Sequence, residues 1–350
     1  MNQSTTVTRG SKPLSSARPV FAGIDFHKRI SVVSLGDAEG KLLSQVSLEN
    51  DDVHELRKFF RRHAPLKCAI ENCRGHEWMV ELLKQCGCEV VIGNTYAIKL
   101  ISQSKKKDDK NDSRILMELC ARNYLPQCYQ PSAEERLLRE RLRWRTKLMR
   151  SRTQYKNVSH ALMDKENKGR KIGSRKARKS AVQSGDLIPD RQERLTRSLQ
   201  LVELLDKRVS LEDKELTEIA SSIPSVALLK TIPGVGDISA LMLVAELGDI
   251  SRFRKARNVG SYLGLVPRLY ASSDTRRLGS ITKQGSGLMR RMLVQDAWMA
   301  IKVSKKFREK YNSILKRRGK KVAAIAIARM IAEIAFRILK DQTAFDESKM

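Results

Sequence analysis

The spacing of apolar runs in the first third of the chain restricts the fold more than any other feature. FAGID, ISVVSLGD and KLLSQVSLEN alternate β-branched and polar residues, with Gly36-Asp37 and Glu39-Gly40 as turn signals. This pattern predicts three antiparallel strands. A helix follows in DVHELRKFFRRHA, with Leu56, Phe59 and Phe60 on one face. Next come a strand in KCAIE, a helix in HEWMVELLKQCG ending at Gly87, a strand in CEVVIG, a short helix near Tyr96 to Ile101, and a helix from Asp109. Strands that alternate with helices require a mixed sheet covered on its faces.

The order βββ-α-β-α-β-α, with an acid closing strands one and four, is the plan of an α/β, ribonuclease H-like domain. Asp25 ends the run VFAGID and Glu71 ends KCAIE, while Asp109 and Asp112 open the helix in KDDKNDSRILMEL. Residues at i and i+3 of a helix share a face. Two-metal phosphoryl transfer needs several oxygen ligands converging on a small volume, so these four residues are candidate ligands for Mg²⁺ or Mn²⁺. The D-x-x-D spacing also suits a helix N-cap with an acid in the first turn, and Asp108 can stand in for Asp109.

The 350 residues include 68 Lys+Arg against 39 Asp+Glu, a formal charge of +29. Lys and Arg neutralise phosphates and release counterions whatever the sequence bound, so the charge points to nucleic acid. A hydrophobic fraction of 41% excludes a disordered basic tail. Cys68, Cys73, Cys86, Cys88, Cys120 and Cys128 lack paired C-x-x-C spacing, which argues for reduced thiols over a zinc site. Met1 to Pro19 has no apolar core, so no signal peptide is expected. The stretch VAAIAIARMIAEIAF is interrupted by Arg329 and Glu333 and is too short to span a bilayer. The expectation is a soluble, cytoplasmic protein without a membrane partner.

From Ala133 the pattern becomes helical. EERLLRERLRWRTKLMRSRTQYKNVSHALM has no Gly or Pro and predicts one long basic helix. NKGRKIGSRKARKSAVQSGD interrupts it as a basic loop over 164–189, and Pro189 opens a second long helix. Two such helices suggest an antiparallel hairpin or a coiled coil with a partner chain. They would serve either as a dimerisation arm or as a plain linker. The last segment starts at Ile223-Pro224 and stays mostly helical to Phe345. The organisation expected is a disordered basic tail over 1–18, a ribonuclease H-like domain over 19–130, a helical region over 131–222 and a C-terminal domain over 223–345.

Two stretches of that last domain carry chemistry. In LLKTIPGVGDISALMLVAELGD a tight turn containing Gly234 and Gly236 joins two helices. This is the helix-hairpin-helix pattern, in which backbone N–H groups at a helix start meet a DNA phosphate, but a tight αα-corner has the same outline. In SYLGLVPRLYASSDTRRLGSITKQGSGLMRRMLV, Ser272 and Ser273 fall in a polar loop close to Arg276, Arg277, Lys283, Arg290 and Arg291. A serine flanked by cations can attack a phosphodiester, although a serine in a polar loop is usually only a loop residue.

The ordered set GIDFHK, AIEN, KDDKND, IPGVG and ARNVGSYLGLVPRLYASSDTRRLGSITKQG resembles transposases of the insertion sequence 110 family, kin to Piv-type DNA invertases. The resemblance runs from about Phe21 to the C-terminal helices. It implies a RuvC-like DEDD domain at Asp25, Glu71, Asp109 and Asp112, a coiled-coil middle, and a C-terminal transposase domain with a nucleophilic serine. Ser272 takes the nucleophile position, with Ser273 the adjacent alternative, since Ala271-Ser272-Ser273 stands where the family has S-S-G or S-S-A. It also implies donor and target DNA, a structured bridge RNA and a homo-oligomer (dimer or tetramer). Two rivals share parts of the sequence: a RuvC-like nuclease using metal-activated water, and a non-enzymatic helix-hairpin-helix binder.

Overall fold

A computed structural model describes residues 18–102, 108–168, 172–272 and 275–349. Backbone contacts divide the chain into two compact units, Met1–Gln130 and Pro131–Met350.

The first unit is built on a five-stranded sheet of β1 (Phe21–Phe26), β2 (Ile30–Gly36), β3 (Leu42–Glu49), β4 (Lys67–Glu71) and β5 (Glu89–Gly93), in the order β3-β2-β1-β4-β5. The first three strands are antiparallel and β1, β4 and β5 are parallel. Helices α1 (Val53–His63), α2 (Glu77–Gln85), α3 (Thr95–Ser102) and α4 (Asp109–Ala121) complete the unit. Successive side chains of a strand face opposite sides, and both sides are covered. Ile24, Cys68, Ile70, Phe60 and Leu83 form one core, while Ala69, Val91, Leu116 and Cys120 form the other. This two-sided burial explains why KCAIE and CEVVIG carry near-continuous apolar residues.

Gly23 sets how closely α4 approaches β1. A Cβ there would lie 2.0 Å from the Ser113 carbonyl oxygen and 2.4 Å from the Met117 nitrogen, both backbone atoms of α4. The helix therefore lies on the central strand two residues from Asp25. Gly23→Ala must push a whole helix, not a side-chain tip, and overpacking of this kind costs about 3 kcal/mol. Chemical denaturation should record that loss; a change below about 0.5 kcal/mol would mean that α4 shifts freely.

The second unit comprises α5 (Ala133–Asp164), α6 (Arg175–Gln183), α7 (Pro189–Ser221), α8 (Pro224–Lys230), α9 (Asp237–Leu247), α10 (Ala256–Tyr262), β6 (Pro267–Ser272), β7 (Thr275–Ile281), α11 (Gly287–Val303), α12 (Lys305–Arg318) and α13 (Lys320–Asp341). Helices α5 and α7 run antiparallel. Arg145 pairs with Asp213, Arg152 Nη1 donates to Asp206 Oδ1 at 3.0 Å, and the hydroxyls of Ser159 and Ser198 meet at 2.9 Å. Within the stretch 164–189, expected as a loop, residues 175–183 form α6. Ser174 caps this helix, and Arg178 is buried with its Nη2 donating to Asp206 Oδ2 at 2.6 Å. A basic run folds here because one of its cations finds a carboxylate and because Ile172 and Ala181 join the core of Met163, Leu195 and Leu199. The remaining helices enclose a large core around α13, with Leu241, Leu293, Phe307, Ile327 and Ile331 fully buried.

Candidate active site

Asp25 is the penultimate residue of β1 and Glu71 the last of β4, and the two strands are parallel neighbours with Ile24 opposite Ile70. The two carboxylates therefore emerge side by side where the central strands end. Asp109 and Asp112 lie in the first turn of α4, which Gly23 admits to the same edge. The cap of α4 is Asp108, whose side chain accepts from the Lys110 amide at 3.4 Å. Asp109 and Asp112 are thus not needed to cap the helix, and the helix start favours negative charge there.

The acids feel one another. Burial raises the Asp25 carboxyl above its usual range, partly offset by His27, with repulsion from Asp109 and Asp112 adding to the rise. Burial also raises Glu71, with Asp25 and Asp112 adding and Lys99 and the Thr95 hydroxyl opposing. The Cys73 thiol is pushed up to about 11 by burial and then by the negative charge of Glu71 and Asp25, so it stays protonated at neutral pH. The negative charge that raises the proton affinity of Asp25 and Glu71 also attracts a multivalent cation. One ligand atom each from Asp25, His27 and Asp109 lies within 4.8 Å of the others. The donor set suits a divalent cation.

His27 is a member that the sequence reading missed. Its Nε2 lies 3.0 Å from Asp25 Oδ2 and 3.5 Å from Asp109 Oδ1. The signal was the i, i+2 spacing in GIDFHK, because residues two apart in extended chain share a face. Lys99, on α3, reaches Glu71 electrostatically and carried no sequence signal at all.

In the second unit, Ser272 lies on a strand and not in a loop, because β6 and β7 pair antiparallel. Ser272 is the last residue of β6 and pairs with Thr275, while Ala271 faces Arg276 and Tyr270 faces Arg277. Ser273 lies outside the described residues. Leu269, Tyr270 and Leu278 are exposed on these strands, and because Leu269 and Tyr270 are consecutive, apolar side chains are exposed on both faces of the pair.

The neighbouring cations divide by environment. The Arg290 guanidinium donates to the carbonyls of Leu263 (3.1 Å), Gln284 (2.5 Å) and Gly285 (3.2 Å), so it braces the loop before α11. Lys283 sits in that loop with φ 58°, its amide donating to the Gly264 carbonyl at 3.2 Å. Arg291 lines a cleft of about 860 Å³ with Arg145, Arg150, Asn157 and Gln295, and no acid is among its lining residues. Gly234 has φ 87°, and a Cβ on it would meet the Ala300 nitrogen and the Asp296 carbonyl oxygen of α11 at 2.6 Å. That glycine serves close packing. Gly236 caps α9, its N–H donating to Ser239 Oγ at 3.1 Å.

Comparison with known proteins fits this arrangement. Residues 226–312 match the model of the Transposase IS116/IS110/IS902 family, and residues 22–167 match a DEDD-type transposase model of the insertion sequence 110 group. The chain is 24% identical to a probable family 20 transposase of Pseudomonas aeruginosa over 92% of its own length and 97% of that protein. It is 27% identical to the transposase for insertion sequence element IS1328 of Yersinia enterocolitica, over 84% of its length and 89% of the relative. A pilin gene-inverting protein of Moraxella bovis is 28% identical over 39% of this chain and 44% of that protein. Among the described residues no helix is long and apolar enough to cross a membrane. Both matched segments, and relatives that align over most of their length, make this chain a member of the insertion sequence 110 family of transposases.

Proposed function

We propose that the protein excises and integrates its own insertion sequence, cutting and rejoining DNA through a phosphoserine intermediate. The observation that carries the reading is the placement of Asp25 and Glu71 at the ends of the parallel strands β1 and β4 and of Asp109 and Asp112 in the first turn of α4, with ligand atoms of Asp25, His27 and Asp109 within 4.8 Å of one another. Such an ion, Mg²⁺ or Mn²⁺, would polarise the phosphate and ease ionisation of an attacking hydroxyl. In this reading residues 19–130 supply the cation site, 131–222 the helical dimerisation region and 223–345 the nucleophile.

Ser272 is the nucleophile. Its Oγ bonds to phosphorus, the phosphorus–deoxyribose oxygen bond breaks, and the released sugar hydroxyl carries the proton that the serine gives up. Arg276 and Arg277, the next cations along the chain, offset the charge that builds on the phosphoryl oxygens. In rejoining, a sugar hydroxyl attacks the ester and Ser272 regains its proton. Each phosphodiester broken is replaced by a phosphoserine ester, so no nucleotide cofactor is required. The charge of +29 supplies phosphate contacts, to which Gly236 at the start of α9, Lys283 and Arg291 add. Donor and target DNA, a bridge RNA that pairs with both, a homo-oligomer and a cytoplasmic location complete the proposal from family resemblance.

Trapping decides it. A DNA substrate whose cut strand cannot be religated should leave a covalent adduct on a peptide containing Ser272, and Ser272→Ala should abolish both adduct and cleavage. Cleavage by Ser272→Ala, with Asp25→Ala inactive, would instead identify a nuclease that uses water. An adduct on another peptide would overturn the Ser272 assignment.

A further inference from the structure

We propose that His27 is a direct nitrogen donor to the divalent cation, beside Asp25 and Asp109, and that its imidazole biases the site toward Mn²⁺ over Mg²⁺. The inference rests on the reading that the carboxylates hold a metal.

Three observations carry it. First, the spacing fits coordination. Donors in adjacent positions of a six-coordinate ion with bonds of about 2.1 Å lie about 3 Å apart. His27 Nε2 is 3.0 Å from Asp25 Oδ2 and 3.5 Å from Asp109 Oδ1, so all three atoms can face one ion. Second, the position of His27 is fixed from behind. The His27 amide donates to the Ile30 carbonyl at 3.2 Å, and Asn50 Nδ2 donates to the His27 carbonyl at 2.6 Å. Asn50, which is buried, is itself held by Ser31 Oγ donating to its Oδ1 at 2.7 Å. These bonds fix the main chain that carries the imidazole, so the ring leaves the strand end at a set point beside Asp25. Third, the ring is accessible. The His27 side chain is 54% exposed while that of Asp25 is 16% exposed. The imidazole therefore contributes little to packing, and its contacts at this edge are with carboxylates.

The chemistry then sets the preference. Mg²⁺ demands near-ideal octahedral oxygen surroundings and gives up water reluctantly, whereas Mn²⁺, a larger transition ion, tolerates one nitrogen donor among carboxylates. Replacing one oxygen position by nitrogen should handicap Mg²⁺ more than Mn²⁺.

The test uses the full-length protein and Mn²⁺ alone, read by electron spin resonance. Pulsed measurements on bound Mn²⁺ should show coupling to a directly bonded ¹⁴N nucleus, absent in His27→Ala. Mn²⁺ affinity should fall at least about tenfold in that variant. His27→Asp, which restores an oxygen donor, should narrow the preference for Mn²⁺ over Mg²⁺ in competition. Bound Mn²⁺ without ¹⁴N coupling, or coupling that persists in His27→Ala, overturns the role of His27 and leaves the carboxylate site standing. Mn²⁺ binding that is absent, or unaffected by Asp25→Asn, overturns the metal reading and this inference with it.

Discussion

Asp25→Asn is expected to reduce strand cleavage by about a thousandfold or more while leaving the protein at least as stable as the parent. Asparagine keeps the shape of the side chain and can still accept the hydrogen bond that His27 makes at 3.0 Å. What it removes is the negative charge. If that charge holds a cation against a scissile phosphate, its loss removes several kcal/mol of transition-state stabilisation, and about 4 kcal/mol is a thousandfold. Folding should respond in the opposite direction. The Asp25 carboxylate is penalised by burial and repelled by Asp109 and Asp112, and the neutral amide escapes both costs. Activity lost with stability kept or gained marks a residue retained for chemistry. Gel-based cleavage and thermal unfolding of the same preparation read the two effects. Retained cleavage with a lower melting temperature would make Asp25 a structural residue and sink the reading.

Much of this site was legible in the sequence because strand ends and helix starts leave simple marks. An apolar run closed by an acid, as in KCAIE, can be read without knowing its neighbours, and so can D-x-x-D at a helix opening. A mixed sheet covered on its faces was implied once strands were seen to alternate with helices. What escaped was everything decided by orientation. His27 becomes a site residue only because the chain stays extended past Asp25 and Asn50 fixes its carbonyl. Arg290 and Arg291 are adjacent and look alike in sequence, yet one is spent on three backbone carbonyls and the other lines a cationic cleft. Gly234 reads as a backbone exposed to phosphate, but its missing side chain is what lets α11 approach. The α6 helix was hidden for a similar reason: Arg178 suggests a solvated loop until Asp206, 28 residues away, is seen to bury it.

Asp296→Asn is expected to remove a pH dependence located at the joint between α9 and α11. Asp296 is 5% exposed, and its Oδ2 has no hydrogen-bond partner among the described residues. Burial pushes its carboxyl up to about 7, only partly countered by a hydrogen bond from Ser239. The folded chain therefore holds this proton more tightly than the unfolded chain. Stability is greatest below the ordinary carboxylate range, falls as pH rises toward 7, and is flat above that. A rise of about 3 units is worth about 4 kcal/mol at 1.36 kcal/mol per unit. Asparagine has no proton to lose, so between pH 4 and pH 8 the variant should gain about that much relative to the parent. A denaturation midpoint reports a whole unit and does not isolate this joint. Hydrogen exchange of the α9 and α11 amides, corrected for intrinsic rates, isolates the joint. Protection in the parent should decline toward pH 7 while the variant holds level. Because the Asp296 carbonyl packs where a Gly234 side chain would be, the loosening should spread to the turn before α9. Parallel protection curves for the two proteins across this range would show that the Asp296 carboxyl is solvated and ionised throughout.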